Sequence, residues 1–247
     1  MNDTVELLDN EVIEDLQLDG LRIIQQKNGY RFTTDAVLLA NSVQGAKGKT
    51  VVELGSGSAV ISILVAHKQQ PRLIHAVELQ PDLAQMSARS VELCKLQDII
   101  SIINANIQGI HNTIGNNIDI VICNPPYRAI GSGLMQENDS LAICRHEVAI
   151  TLEQVIDNAS KLLHDKGVFY LVHQTQRLAE IIMLCSKYNM AVKQLTPIIA
   201  REGEESKTIL IRAVKGGREG LVMNSPIVVF DQQGNYTQTI NRLYSIE

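Results

Sequence analysis

Thr50-Val51-Val52-Glu53-Leu54-Gly55-Ser56-Gly57-Ser58-Ala59 is the stretch on which the reading of the fold turns. Its first five residues are mostly apolar or β-branched around a single acid, which suits a strand. Gly55-Ser56-Gly57-Ser58 cannot continue that strand and reads as a tight loop. Ala59 to His67 then reads as a helix. A Gly-x-Gly turn between a strand and a helix lets backbone N–H groups approach a ligand closely, with the helix N-terminus behind them. A dinucleotide fingerprint wants a third glycine at position 60, where this chain has Val60. That argues against a pyrophosphate-containing cofactor such as NAD.

The same alternation continues downstream. Leu73–Glu78 reads as a second strand, and Pro81 suits the first turn of a helix running to about Lys95. Ile99–Ile103 and Ile118–Cys123 read as the third and fourth strands. A helix is expected from Arg145-His146-Glu147 to about His164, then a fifth strand at Gly167–His173 and a helix from Gln176 to Tyr188. Met190–Ile198 and Thr208–Val214 are two more strands with no helix between them, so one must run antiparallel. Strands alternating with helices at this spacing predict an α/β, doubly wound, seven-stranded and mostly parallel sheet with one antiparallel strand.

Upstream, Leu21–Gln26, the Asn28-Gly29 turn and Arg31-Phe32 predict a β-hairpin. Thr33 or Thr34 caps a helix from Ala36 to about Val43, with Asp35 in its first turn. The expected division is therefore a cap unit over residues 1–49 and one compact domain over 50–247. Residues 1–20 carry seven acids and no Lys or Arg, and read as a solvated acidic leader. The whole chain has 22 Lys and Arg against 27 Asp and Glu. Without the leader's seven acids the balance turns slightly basic, which leaves room for an RNA-binding face without arguing for one. No apolar run approaches the ~20 residues of a membrane span, and the N-terminus lacks the features of a secretory signal. The four cysteines are widely spaced and form no CxxC pair. They suggest reduced thiols in a cytoplasmic protein, not a disulfide frame or a metal centre.

Four places carry chemistry. The first is the glycine loop, with Glu53 on the strand before it. The second is Glu78, which ends the second strand and can accept hydrogen bonds from two ribose hydroxyls, since a carboxylate is acceptor-only. The third is Asn104-Ala105-Asn106, where Asn106 either meets the edge of a base or forms a turn. The fourth is Asn124-Pro125-Pro126-Tyr127, following the doubly buried run Ile118–Cys123. Two prolines remove two backbone donors and stop the strand. The Asn124 amide and the Pro125 carbonyl can both accept from one planar amino group. This draws its nitrogen towards tetrahedral geometry and frees a lone pair. Tyr127 offers a face on which a planar group can stack. Residues 128–144 read as a loop beside this turn, and His146 reads as a capping or structural group.

These residues together resemble the class I S-adenosylmethionine-dependent methyltransferases, a Rossmann-like fold. The order of glycine loop and Asn-Pro-Pro-Tyr is similar to that of the amino-group methylators. Phe32 to Ala40, Arg145-His146-Glu147, Arg201-Glu202, Lys215-Gly216-Gly217 and Tyr236-Thr237 look like signatures of the valine-tRNA adenine-N6 methyltransferase family. Ala59 stands where that family usually has a further glycine, and Asn106 where many members have Asp. The resemblance implies a methyl donor, S-adenosyl-L-methionine, held by Glu53, Gly55, Ser56, Gly57, Glu78, Leu79, Asn106 and Thr34. It implies that Asn124, Pro125, Pro126 and Tyr127 serve the reaction, without a metal. It implies a tRNA acceptor, an adenine amino group beside the anticodon, and a monomeric cytoplasmic enzyme. Protein-glutamine N5-methylation and ribosomal-RNA guanine-N2 methylation share the motif. A catalytically silent binding module is the alternative outside enzymes.

Overall fold

The computed structural model describes residues 5–27, 32–125 and 150–244. Pro126 and Tyr127, the loop over 128–144, Arg145-His146-Glu147 and the Asn28-Gly29 turn lie outside the described residues. The central sheet is built from β3 (Thr50–Leu54), β4 (Leu73–Glu78), β5 (Ile100–Asn104), β6 (Ile118–Cys123), β7 (Leu163–Gln174), β8 (Met190–Ile199) and β9 (Thr208–Lys215). Their order is β8-β9-β7-β6-β3-β4-β5. β9 runs antiparallel to both its neighbours, and the other pairings among the seven are parallel. Two short strands, β10 (Val222–Met223) and β11 (Ile227–Val228), pair with β8 at the outer edge.

The central strands β3, β4 and β6 are buried on both faces, which is why their sequences are nearly continuous in apolar residues. Val51, Ile120, Ile122 and Tyr170 face a layer formed by α1 (Thr34–Ser42) and α2 (Val60–Gln69). α3 (Pro81–Leu93) extends this layer over β4 and β5. Val52, Leu54, Val121 and Cys123 face the opposite layer, which contains α5 (Leu152–Leu162) and α6 (Leu178–Lys187). A short α4 (His111–Ile114) precedes β6, and α7 (Gln238–Leu243) closes the chain against α1.

Three sequence expectations need correction. The N-terminal hairpin pairs β2 (Arg22–Gln26) with β1 (Glu11–Asp15), upstream of it, while Arg31 of the expected return strand lies outside the described residues. The acidic leader therefore supplies a strand. The reason is its one buried acid: Glu11 is 6% exposed, and its carboxylate takes both terminal nitrogens of Arg89 on α3, at 2.5 and 2.6 Å. The Ile24 N–H also donates to Ser90 Oγ on α3 at 2.9 Å. Where one helix was expected from Arg145 to about His164, the described helix covers Leu152–Leu162 and starts afresh there, because Thr151 and Gln154 form a reciprocal capping box; residues 145–149 lie outside the described residues. Ala59, expected as the first helical residue, is instead the N-cap of α2 in the left-handed region at φ 58°. A glycine takes that conformation without steric cost, and an alanine does not.

The Glu11–Arg89 fork fastens the hairpin to α3. Arg89→Ala leaves Glu11 buried without its cation, at a cost of about 2–3 kcal/mol. The expected outcome is a lower urea midpoint, with amide exchange in residues 11–15 and 22–26 accelerated more than in the sheet.

Candidate functional site

Strand register sets the site. Leu54 at the end of β3 pairs with Cys123 at the end of β6 and with Val77 on β4. Glu78 pairs with Asn104 on β5. Gly55, Glu78, Asn104 and Asn124 therefore emerge side by side along the carboxyl edge, with neighbouring strands ~4.8 Å apart. The chain leaves β3 towards β4 and β5 on one side and returns to β6 on the other. This is the topological switch point, where open α/β sheets bind ligands. A cleft of about 490 Å³ opens there, lined among others by Gly55, Glu78, Leu79, Asn106, Asn124 and Pro125.

The loop after β3 is shaped by positive φ at Gly55 (72°) and Gly57 (53°). A Cβ at either position would meet nothing within 4 Å, so conformation and not crowding calls for glycine here. The Gly55 and Ser56 N–H groups both donate to Val77 O at 2.9 Å. The Gly57 N–H donates to Glu78 Oε2 at 2.8 Å, and the Gln80 N–H donates to Glu78 Oε1 at 2.8 Å. Glu78 thus ties the glycine loop to the start of α3, and each oxygen keeps a further acceptor site. Asn104 donates to Glu78 O at 2.9 Å and Leu79 O at 3.0 Å, which fixes the end of β4. Ser56 Oγ is buried and has no hydrogen-bond partner among the described residues.

Glu53 and Thr34 are not brought into this cleft. Glu53 is 1% exposed and lies behind the loop, accepting from Ser62 N at 2.9 Å and from Ser62 Oγ. It anchors the first turn of α2. Burial pushes its carboxyl up to about 8, helped by the nearby Glu78 charge and opposed by the Ser62 bonds. Thr34 opens α1 and hydrogen-bonds the Tyr244 side chain. Asn106 does line the cleft, and its Oδ1 also accepts from Gln108 N at 2.8 Å, so it forms a turn as well. The exposed Leu79 and the buried Ile107 give the cleft apolar walls, beside Cys123, Ile150 and Val155. Ile107, Ile150 and Val155 carry no sequence signal, since apolar residues of this kind fill the core everywhere. The cleft offers an acceptor carboxylate, apolar walls for a flat ring and the Asn124-Pro125 turn in one space, with the Ser56 hydroxyl in the loop beside it.

Glu53 makes stability depend on pH. Its folded-state value lies above the ordinary 4.5, so the folded state holds the proton more tightly. That contribution is whole below about pH 4.5 and is lost as pH rises through about 8. Glu53→Gln is neutral throughout and escapes the loss. Melting curves should show Tm of Glu53→Gln minus Tm of the wild type increasing from about pH 5 to about pH 8. A difference independent of pH would rule out the raised value.

The family model for the methyltransferase small domain matches residues 31–196, more than half of the chain. A tRNA1(Val) (adenine(37)-N6)-methyltransferase of Shewanella baltica is 26% identical over 218 residues, spanning 87% of this chain and 90% of that one. The protein of the same name from Aeromonas hydrophila is 25% identical over 213 residues, spanning 86% and 87%. A crystal structure described as a predicted O-methyltransferase from Agrobacterium tumefaciens superposes with a TM-score of 0.68 at 24% identity. It covers 85% of this chain and 95% of that one, and its likeness speaks for the fold.

Proposed function

Because the chain belongs to the methyltransferase small domain family, we infer that it methylates the exocyclic amino nitrogen of an adenine in tRNA, beside the anticodon. That it is an S-adenosyl-L-methionine-dependent methyltransferase follows from the family itself. The finer reading rests on one observation. Asn124 and Pro125 end β6 directly beside Gly55, in the same cleft as Glu78. The names of the Shewanella and Aeromonas relatives, matched over most of both chains, support tRNA adenine as the acceptor.

The cleft suits the donor. The orphaned Ser56 Oγ, the two spare acceptor sites of Glu78 and the open space over Gly55 fit a polar nucleoside without a pyrophosphate. Glu78 would take the ribose hydroxyls, Leu79 and Ile107 would flank the base, and Asn106 would meet its edge. When bound, the donor supplies a methyl group already activated by its sulfonium charge. The protein's share is position and a lone pair. The Asn124 side-chain oxygen and the Pro125 carbonyl accept the two N–H bonds of the incoming amino group and orient it. Pro126 and Tyr127 complete the motif in sequence and are proposed to support and stack the base. A base in an RNA loop is reached by flipping it out of its stack, which is inexpensive there. Glu53 serves as the anchor of the loop and Thr34 as part of the α1 cap, neither as a ligand contact.

Asn124→Ala is expected to abolish methyl transfer to unmodified tRNA while calorimetry finds donor affinity nearly intact; full activity would overturn the assignment. Glu78→Gln keeps one acceptor oxygen for two backbone donors and the ribose, so donor affinity should fall by about tenfold or more. An unchanged affinity would remove Glu78 from the donor site. Nucleoside mass spectrometry of tRNA from cells lacking the protein should show loss of N6-methyladenosine.

A further inference from the structure

A second cleft, away from the glycine loop, is lined by Lys166, Lys193, Arg212 and Arg218, with Val214 and Gly217. It is an open depression of about 730 Å³ with four cations and no acid on its lining. Arg212 lies mid-strand on β9, opposite Tyr170 on β7 and Gln194 on β8. It shares a sheet face with Leu210, two residues earlier. Arg212 is partly buried, yet its guanidinium has no hydrogen bond or ion pair among the described residues. Arg218 is exposed and its guanidinium is likewise unpartnered among them. The two lysines spend bonds on carbonyls, which leave their charge uncancelled. Lys193 donates to Arg218 O and Glu219 O, both at 3.2 Å, and Lys166 donates to Gly216 O. The nearby acid Asp165 pairs with Lys166 at 3.5 Å in an exposed position, where screening makes it weak.

A partly buried guanidinium with no carboxylate is costly unless an anion reaches it. A row of such cations on an open face suits a chain of phosphates better than one small anion. We propose that this cleft grips the phosphate backbone of the RNA substrate away from the reacting base. The proposal rests on the RNA reading of the catalytic cleft and extends it to a docking surface. Lys166 precedes Leu171 by five residues, and Leu171 pairs with Cys123 beside Asn124. The β7 register shifts between Leu163 and Val168, so the β9 pairings measure the distance better: Arg212 pairs with Tyr170 and Val214 with Val168, which puts the cleft from ~3 to ~10 Å or more below the level of Cys123 and two strands, ~10 Å, to its side. The backbone a few nucleotides from a base held at Asn124 therefore reaches it. Charge placement agrees: the acidic β1–β2 hairpin packs on α3 beside β4 and β5, at the other end of the sheet from β8. That acidic hairpin repels an approaching polyanion from the β4–β5 end.

The test compares the wild type with Arg212→Gln/Arg218→Gln and with Arg212→Lys. Binding of an unmodified tRNA transcript is followed between about 50 and 200 mM salt. Methyl transfer is measured on the same tRNA and on a minimal loop fragment, a trinucleotide centred on the reacting adenine and too short to reach the cleft. The double variant should lose about two units of the salt slope and show KM for full-length tRNA raised about tenfold. Its kcat, donor affinity and activity on the minimal loop should remain unchanged. Arg212→Lys, which keeps the charge, should keep the wild-type slope and show that folding is not the cause. An unchanged slope and KM in the double variant, with the wild type active on tRNA, overturns the cleft and leaves the functional reading standing. A wild type that binds tRNA through these arginines but transfers no methyl overturns the functional reading instead.

Discussion

The pairing of β3 with β6, Leu54 against Cys123, is the constraint on which the site depends. These two strands lie far apart in sequence and are made neighbours by the outward excursion through β4 and β5. Because they end level, the glycine loop and the Asn124-Pro125 turn open into one cleft. A slip of one residue would exchange the faces of every side chain on β6. Ile120 and Ile122 would leave the layer of α1 and α2, and Val121 and Cys123 the layer of α5. Two-sided burial therefore protects the register, and the register places the chemistry.

Two carboxylates then divide the work of holding the glycine loop. Glu53 sits beneath it and secures the first turn of α2 through Ser62. Glu78 sits beside it and bridges Gly57 to Gln80. Both are buried, and the difference is what they face: Glu53 is sealed behind the loop and favours its protonated form, whereas Glu78 lines the cleft and keeps acceptor sites for a ligand. The loop needs both. The Gly55 and Ser56 N–H groups are met by Val77 O, the Gly57 N–H depends on Glu78, and the Ser62 N–H at the start of α2 depends on Glu53.

Much of the fold was legible. The strands at 50–54, 73–78 and 118–123 were recognisable to the residue, because each is an apolar run closed by glycine, proline or a charged residue. The antiparallel β9 followed from the absence of a helix between Met190 and Val214. The N-terminal hairpin was misread. Asn28-Gly29 is a strong local turn pattern, whereas the strand that pairs with Leu21–Gln26 depends on Glu11 meeting Arg89, 78 residues away. Thr151 and Gln154 carried a local capping pattern, but the apolar stretch before them masked it. Among the site residues, Gly55, Ser56, Gly57, Glu78, Leu79, Asn106, Asn124 and Pro125 gather along the cleft or in its loop. Glu53, two residues before Gly55 in sequence, lies behind the loop, and Thr34, far from these residues in sequence, does not line the cleft.

The sequence by itself determined the alternation of strands and helices, the glycine loop and the stiff Asn-Pro-Pro turn. Those depend on periodicity and on backbone restrictions that act within a few residues. Only the tertiary structure decided which acid faces the cleft and which lies beneath it. It also decided that Ala59 bears a left-handed conformation, that an acidic leader becomes a packed strand, and that four cations from three strands and a loop share one face. Each of these depends on contacts between segments far apart in the chain, where side-chain direction follows from sheet register and helix packing.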